Sequence, residues 1–162
     1  MKIIVLSDTH SRGIPKNIVE DFKKADLIIH AGDFCSLEDV KFFQHINKLE
    51  AVCGNVDSLE VRSLLPIKKI FKVDNISIGL CHGDGKPDKV LGYVQDVFRS
   101  EDVDVVVFGH THLPFQEKIK DVLYFNPGSI TDRVRPPFCS YGVLEILNGR
   151  VEGKIVKVEA IE

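Results

Sequence analysis

Five short apolar runs in this chain each stop abruptly at Asp, Asn or His. Ile3-Ile4-Val5-Leu6 ends in Ser7-Asp8-Thr9-His10, and Leu27-Ile28-Ile29 ends in His30-Ala31-Gly32-Asp33. Ala51-Val52-Cys53 ends in Gly54-Asn55, Ile76-Ser77-Ile78-Gly79-Leu80 in Cys81-His82, and Val105-Val106-Val107-Phe108 in Gly109-His110-Thr111-His112. Runs this short and this continuous suit strands covered on both faces. A chain built from them must form a sheet with layers on either side of it, and it must carry its polar residues at the sheet's rim.

The intervening segments read as those layers. Pro15 fits the first turn of a helix with Ile18, Val19, Phe22 and Ala25 at helical spacing. Ser36 can cap a second helix that turns Val40, Phe43 and Ile46 inward. Strand, helix, strand, helix, strand implies a parallel sheet with crossover helices, and in such sheets ligands bind beyond the carboxyl ends of the strands. Asp74-Asn75 suits a hairpin turn between Ile70–Val73 and Ile76–Leu80. Pro87 opens a helix with the stripe Val90, Leu91, Val94, Val97 and Phe98. The last third is all-β, with hairpins at Lys120-Asp121 and at Asn148-Gly149, and a tight loop at Asn126-Pro127-Gly128-Ser129. The reading is α/β with a mixed sheet.

At 162 residues with 44% hydrophobic content, the chain can bury one core without disulfide staples, and a single domain is expected over residues 1–162. The net charge of -3 argues against a broad electrostatic grip on nucleic acid, which enters only as a substrate. No apolar stretch approaches the roughly 18 residues of a membrane span. The four cysteines form no C-x-x-C pair, and Met1-Lys2 leads directly into a strand, so reduced thiols in a cytoplasmic protein are expected.

The polar residues at strand ends are Asp8, His10, Asp33, Asn55, His82, His110 and His112. Taken singly, each has an ordinary explanation: Asp-x-His is a turn with a polar tip, Gly-Asp and Gly-Asn are common turn dipeptides, and His82 can be a satisfied core histidine. Converging on one sheet edge, they make a donor set of carboxylate, amide and imidazole with no thiolate. That set exceeds what one tetrahedral ion uses and suits two first-row ions: manganese, iron, nickel, cobalt or zinc. Two such ions roughly 3.5–4 Å apart form the clamp used for in-line displacement at phosphorus.

Asp8-x-His10, Gly32-Asp33, Gly54-Asn55, His82 and Gly109-His110-x-His112, in that order, resemble the motif set of the calcineurin-like metallophosphoesterases. The resemblance runs on into Asn126-Pro127-Gly128-Ser129. The Gly-Asn-x-Asp form of the third motif is most similar to the compact bacterial and archaeal phosphodiesterase branch, which also contains the retromer scaffold subunit. The resemblance implies a four-layer αββα sandwich of two mixed sheets and a two-metal phosphodiesterase site, manganese being the first choice of ion. It implies that Asp8, His10 and His112 hold one metal, that Asn55, His82 and His110 hold the other, and that Asp33 bridges both. A shared hydroxide would attack phosphorus in line, with Asp33, Asn55 and His82 bearing most directly on catalysis. A phosphomonoesterase on the same site is an alternative, and a non-catalytic protein-binding scaffold is another, which the retention of all seven donors disfavours.

One position departs from the pattern. Many relatives carry a histidine after Gly-Asn that serves as a general acid; here it is Val56, with Asp57 left where that histidine's acidic partner would stand. General acid help is commonly worth ~10²–10⁴ in rate. Aryl esters are therefore the expected good substrates. His30 reads as a buried histidine with one hydrogen bond, or as a group orienting a ligand. His45 reads as solvated, Cys53 and Cys81 as small core residues, Asp84 as a helix cap or a support for the ligands, and Arg133 and Arg135 as surface arginines or substrate contacts. Exposed edge strands in the last third leave a homodimer open.

Overall fold

The computed structural model describes residues 1–159; residues 160–162 of the expected domain lie outside the described residues. The elements in chain order are β1 (Lys2–Leu6), α1 (Lys16–Lys23), β2 (Leu27–His30), α2 (Leu37–Ile46), β3 (Leu49–Ala51), α3 (Leu59–Leu64), β4 (Lys68–Val73), β5 (Ile76–Cys81), α4 (Val90–Val97), β6 (Val105–Val107), β7 (Pro114–Ile119), β8 (Val122–Pro127), β9 (Ser140–Leu147) and β10 (Arg150–Lys157). They form two mixed five-stranded sheets, ordered β10-β9-β1-β2-β3 and β4-β5-β6-β8-β7.

Strand alternation divides the apolar residues into three buried layers. Ile3, Val5, Leu27 and Ile29 point from the first sheet into a shared core with Ile78, Leu80, Val105 and Val107 of the second. Ile4, Leu6 and Ile28 point the other way, against Phe22 of α1, Val40 and Phe43 of α2 and Val61 of α3. Val106 and Cys81 point out of the second sheet against Val90 and Val94 of α4. The result is helix, sheet, sheet, helix: the four-layer αββα sandwich. Each of these large side chains, fully buried, contributes about 1.5–3 kcal/mol.

Three local expectations shift. The third strand covers Leu49–Ala51 rather than Ala51–Cys53. Its partner β2 ends at His30, whose carbonyl takes the Val52 N–H, and the Cys53 N–H turns away to the Pro66 carbonyl. Pro87 lies in a turn closed by the Lys89 N–H on the Lys86 carbonyl, so α4 begins only at Val90. The third helix, α3, has no counterpart in the sequence reading. It is six residues long with Val61 alone buried, too short to show a period, and it is started by Ser58, whose Oγ accepts the Val61 N–H. Ser36 does cap α2, in a reciprocal capping box with Asp39.

Strands β1, β2 and β3 run parallel in one sheet and β5, β6 and β8 in the other. Their carboxyl ends meet along one edge of the sandwich, where the loops are stitched across the two sheets. The His110 N–H bonds Asp8 Oδ2 at 3.0 Å and the Ser129 hydroxyl bonds the Asp8 carbonyl at 2.8 Å across the sheets, while the Gly109 N–H bonds the His82 carbonyl at 2.9 Å within the second.

Candidate metal centre

All seven residues expected from the strand ends arrive at this edge, and five of them hold unusual backbone. Asp8, His10, Asp33, His110 and His112 have φ between 49° and 71°. Left-handed backbone costs a non-glycine residue roughly 1–2 kcal/mol. Such positions concentrate where side chains must be aimed. Glycine would relieve the strain but would remove the donor. Glycine appears instead where space is lacking. A Cβ on Gly109 would lie 1.8 Å from Ser7 Oγ, and one on Gly54 would lie 2.1 Å from Asp33 Oδ1. Gly109 thereby permits the approach of β6 to the Asp8 loop.

Each of the four histidines is occupied on its outer ring nitrogen. His82 Nδ1 faces the Ala31 carbonyl at 2.7 Å, His112 Nδ1 faces Asp132 Oδ2 at 2.5 Å, and His110 Nε2 faces the Gly85 carbonyl at 2.9 Å. His10 Nδ1 is 3.6 Å from the Cys35 thiol. An oxygen acceptor at one nitrogen fixes the proton there and leaves the other nitrogen bare.

The inner nitrogens converge. His10 Nε2 and His112 Nε2 are 3.2 Å apart, His82 Nε2 lies 3.0 Å from Asn55 Oδ1, and His110 Nδ1 lies 3.2 Å from that same oxygen. Asp33 Oδ2 is 3.2 Å from His82 Nε2 and 3.9 Å from His10 Nε2, which places it between the two groups. Its other oxygen takes the Val56 N–H. Asp8 Oδ1 reaches both groups as well, 3.3 Å from His112 Nε2 and 3.8 Å from His82 Nε2. Two sets of side chains bring ligand atoms within 4.8 Å of one another: Asp8, His10 and His112, and Asp8, Asp33 and His82. Asp8 is therefore common to both, where the motifs point to Asp33 alone.

The donor set fits divalent cations. Asp8 Oδ1 is fully buried and has no hydrogen-bond partner among the described residues, while Oδ2 is held by the Ser7 hydroxyl at 2.6 Å. A buried carboxylate oxygen without a donor is costly unless a cation completes it. Without a metal, protons take that role. Burial by itself depresses the His82 imidazolium, but the hydrogen bond with Asp33 and the charge of Asp8 outweigh it and push its pKa up to about 9. Burial would raise the Asp8 carboxyl; the facing imidazoles of His10, His112 and His82 prevail and hold it well below the usual carboxylate range.

Two acidic residues that support the site were not read for these roles from sequence. Asp132 backs His112, and Asp57 is a clamp: its carboxylate, 4% exposed, accepts the N–H groups of Asp33 at 3.0 Å, Gly54 at 2.7 Å and Cys35 at 2.7 Å. Asp57 thus ties the Asp33 loop to the Asn55 loop and has no oxygen free for proton transfer. Arg62 of α3 braces the same loop, with Nε on the Asp57 carbonyl at 2.9 Å and Nη2 on the Asn55 carbonyl. The signal for Asp132 was its place three residues after Ser129, whose hydroxyl reaches the Asp8 carbonyl. The Asn-Pro-Gly-Ser loop brings whatever follows it toward the site.

The remaining expectations sort themselves by burial. His30 is fully buried, accepts the Gly32 N–H at Nδ1 and faces the Thr9 hydroxyl from Nε2 at 3.1 Å; burial drives its pKa down to about 3. It steadies the Asp8 and Asp33 loops as a neutral ring. His45 is exposed on α2, and Cys53 and Cys81 are buried. Asp84 does not cap α4; its Oδ1 accepts the Gly85 N–H. No helix among the described residues is long and apolar enough to cross a membrane.

Known proteins resemble this chain in sequence and fold. The chain is 36% identical over 98% of its length to a protein named a probable metallophosphoesterase from Methanocaldococcus jannaschii, covering 82% of that protein. It is 31% identical over 79% of its length to a protein of the same organism named a phosphodiesterase, covering 83% of it. Its fold superposes on Vps29 from Entamoeba histolytica with a TM-score of 0.75, over 98% of this chain and all of that one, at 24% identity. The family model described as the calcineurin-like phosphoesterase superfamily domain matches residues 1–149, and the chain belongs to that superfamily.

Proposed function

We propose that the chain is a phosphodiesterase working with two divalent transition-metal ions, manganese first, with nickel, iron, cobalt or zinc suited to the same donors. Asp8, His10 and His112 would hold one ion, Asn55, His82 and His110 the other, and Asp33 would lie between them. One observation carries this reading: three imidazoles, His10, His82 and His112, each occupied on its outer nitrogen, turn their inner nitrogens toward Asp8 Oδ1, a buried carboxylate oxygen that has no donor among the described residues. When bound, such ions supply an ionised water for in-line attack at phosphorus and positive charge for the phosphoryl oxygens.

The chain's own residues do the rest. Asn55 presents its Oδ1 to His82 and His110, which leaves its amide N–H groups to donate to a phosphoryl oxygen. Val56 has no proton to give, and both oxygens of Asp57 are taken by backbone N–H groups. The leaving group departs without a side-chain acid at this loop, which favours aryl over alkyl esters.

The test is hydrolysis of bis(4-nitrophenyl) phosphate after reconstitution with manganese or nickel, with rates compared on matched mono- and diesters. His82→Ala and Asp33→Ala are expected to abolish turnover in folded protein. Full rate in either variant, or no hydrolysis with any first-row ion, overturns the proposal.

A further inference from the structure

A cavity of about 650 Å³ beside Arg12, Arg133 and Phe138 includes none of the seven donors in its lining. A smaller cleft of about 330 Å³ includes two, Asn55 and His82, and so opens directly onto one half of the metal centre. Its other walls are Ile67 from the α3–β4 connection, Tyr93 and Val97 from α4, and the buried Cys53 and Cys81. Ile67 is 74% exposed and Tyr93 42% exposed, so two large apolar groups stand uncovered at the mouth.

The charges in this cleft are largely committed. Lys68 Nζ is bonded to the Val97 carbonyl at 3.0 Å and to Glu101 Oε1 at 2.6 Å, and lies over the Phe98 ring. Arg62 spends Nε and Nη2 on the carbonyls of Asp57 and Asn55. Asp84 adds a carboxylate at the rim. A second anionic group would meet Asp84 and no unengaged lysine. An uncharged ring would meet Tyr93, Ile67 and Val97.

Resting on the phosphodiesterase reading above, we infer that this cleft is the subsite for one ester arm, and that the arm is an uncharged aromatic ring. The phosphoryl group sits at Asn55 and His82, and the ring extends between α4 and the α3–β4 connection, against Tyr93 and Ile67. Aromatic contact with Tyr93 adds to the burial of apolar surface. Tyr93 and Ile67 are specificity-determining residues: they touch the arm and leave the reacting phosphorus alone.

The test uses two non-hydrolysable probes, phenylphosphonate and methylphosphonate, titrated calorimetrically into manganese-loaded protein. Phenylphosphonate is expected to bind about tenfold tighter, the difference expected for burying about half of a ring's surface. In Tyr93→Ala/Ile67→Ala the preference should vanish while methylphosphonate affinity stays unchanged; both positions are exposed, so the fold survives. The Tyr93 ring resonances should shift with phenylphosphonate and stay in place with methylphosphonate. Equal binding of the two probes by the unaltered protein, or an undiminished preference in the double variant, overturns the subsite alone. Binding of neither probe overturns the subsite, and absence of bis(4-nitrophenyl) phosphate hydrolysis as well overturns the phosphodiesterase reading together with it.

Discussion

Oδ2 of Asp132 lies 2.5 Å from Nδ1 of His112, while Oδ1 of the same carboxylate accepts the N–H groups of Val134 at 2.8 Å and Arg135 at 3.3 Å. The loop after Ser129 thereby folds around a carboxylate whose other oxygen orients an imidazole. Asp132→Asn keeps the shape of this contact and removes its charge. Affinity for the metal that His112 helps to hold is expected to fall by about 10–100-fold. Manganese titration of the refolded variant checks this, and unchanged affinity would mean that packing alone orients the ring.

Val56 offers a gain-of-function prediction. It follows Asn55 directly, is 46% exposed, and its backbone N–H already bonds Asp33 Oδ1 at 3.0 Å, so a histidine can replace it without disturbing that bond. Val56→His is expected to raise turnover on alkyl esters by about 10²-fold, the lower end of general acid catalysis, and to change aryl esters little. The check is the dependence of rate on leaving-group pKa, which should flatten. An equal effect on both ester types would mean that the new ring acts on the ground state.

Most of the site was legible because its residues sit at predictable places. Apolar runs that end in Asp, Asn or His located Asp8, Asp33, Asn55, His82 and His110 without knowledge of strand order, since parallel strands bring their carboxyl ends together. The supports were not legible for the same reason. Asp132 and Asp57 act through loops whose paths depend on contacts far away in sequence, such as Ser129 with Asp8 and Arg62 with the Asn55 carbonyl. A three-residue slip in a loop leaves no periodic trace, whereas a slip in a strand inverts its burial pattern. Helix α3 stayed hidden because six residues make less than two turns.

Protons and metals compete for His82, which gives a pH prediction with a definite sign. The His82 pKa in metal-free folded protein is about 9, raised from an ordinary 6.5. A raised pKa stabilises the fold fully below 6.5 and is lost as pH rises through 9. Metal-free protein should therefore lose roughly 2–3 kcal/mol of stability across that window. His112, also shifted upward, acts in the same direction. Metal binding releases the His82 proton, so metal affinity climbs over the same range. Melting curves with and without nickel, at about pH 6.5 and about pH 8.5, should diverge: the metal-free curve moves down and the gap between the two widens. A gap that narrows with pH would remove His82 from the ligand set.

Asp57 separates a structural role from a chemical one. Three backbone N–H groups from two loops end on its carboxylate, and they lie in buried or part-buried surroundings. Asp57→Ala leaves all three without a partner. At about 1–3 kcal/mol for each unsatisfied buried group, the loss is expected to reach roughly 3–5 kcal/mol after local relaxation. Asp57→Asn keeps one oxygen and sets its NH2 against the remaining donor or donors, so a smaller loss, about 2 kcal/mol, is expected. Urea denaturation gives these differences directly. Activity supplies the second readout. If Asp57 serves only as a clamp, folded Asp57→Asn should lower kcat and metal affinity together, because Asp33 and Gly54 move, and the pH–rate profile should keep its shape. Loss of one limb of that profile with metal affinity intact would instead identify Asp57 as the proton donor that Val56 cannot be.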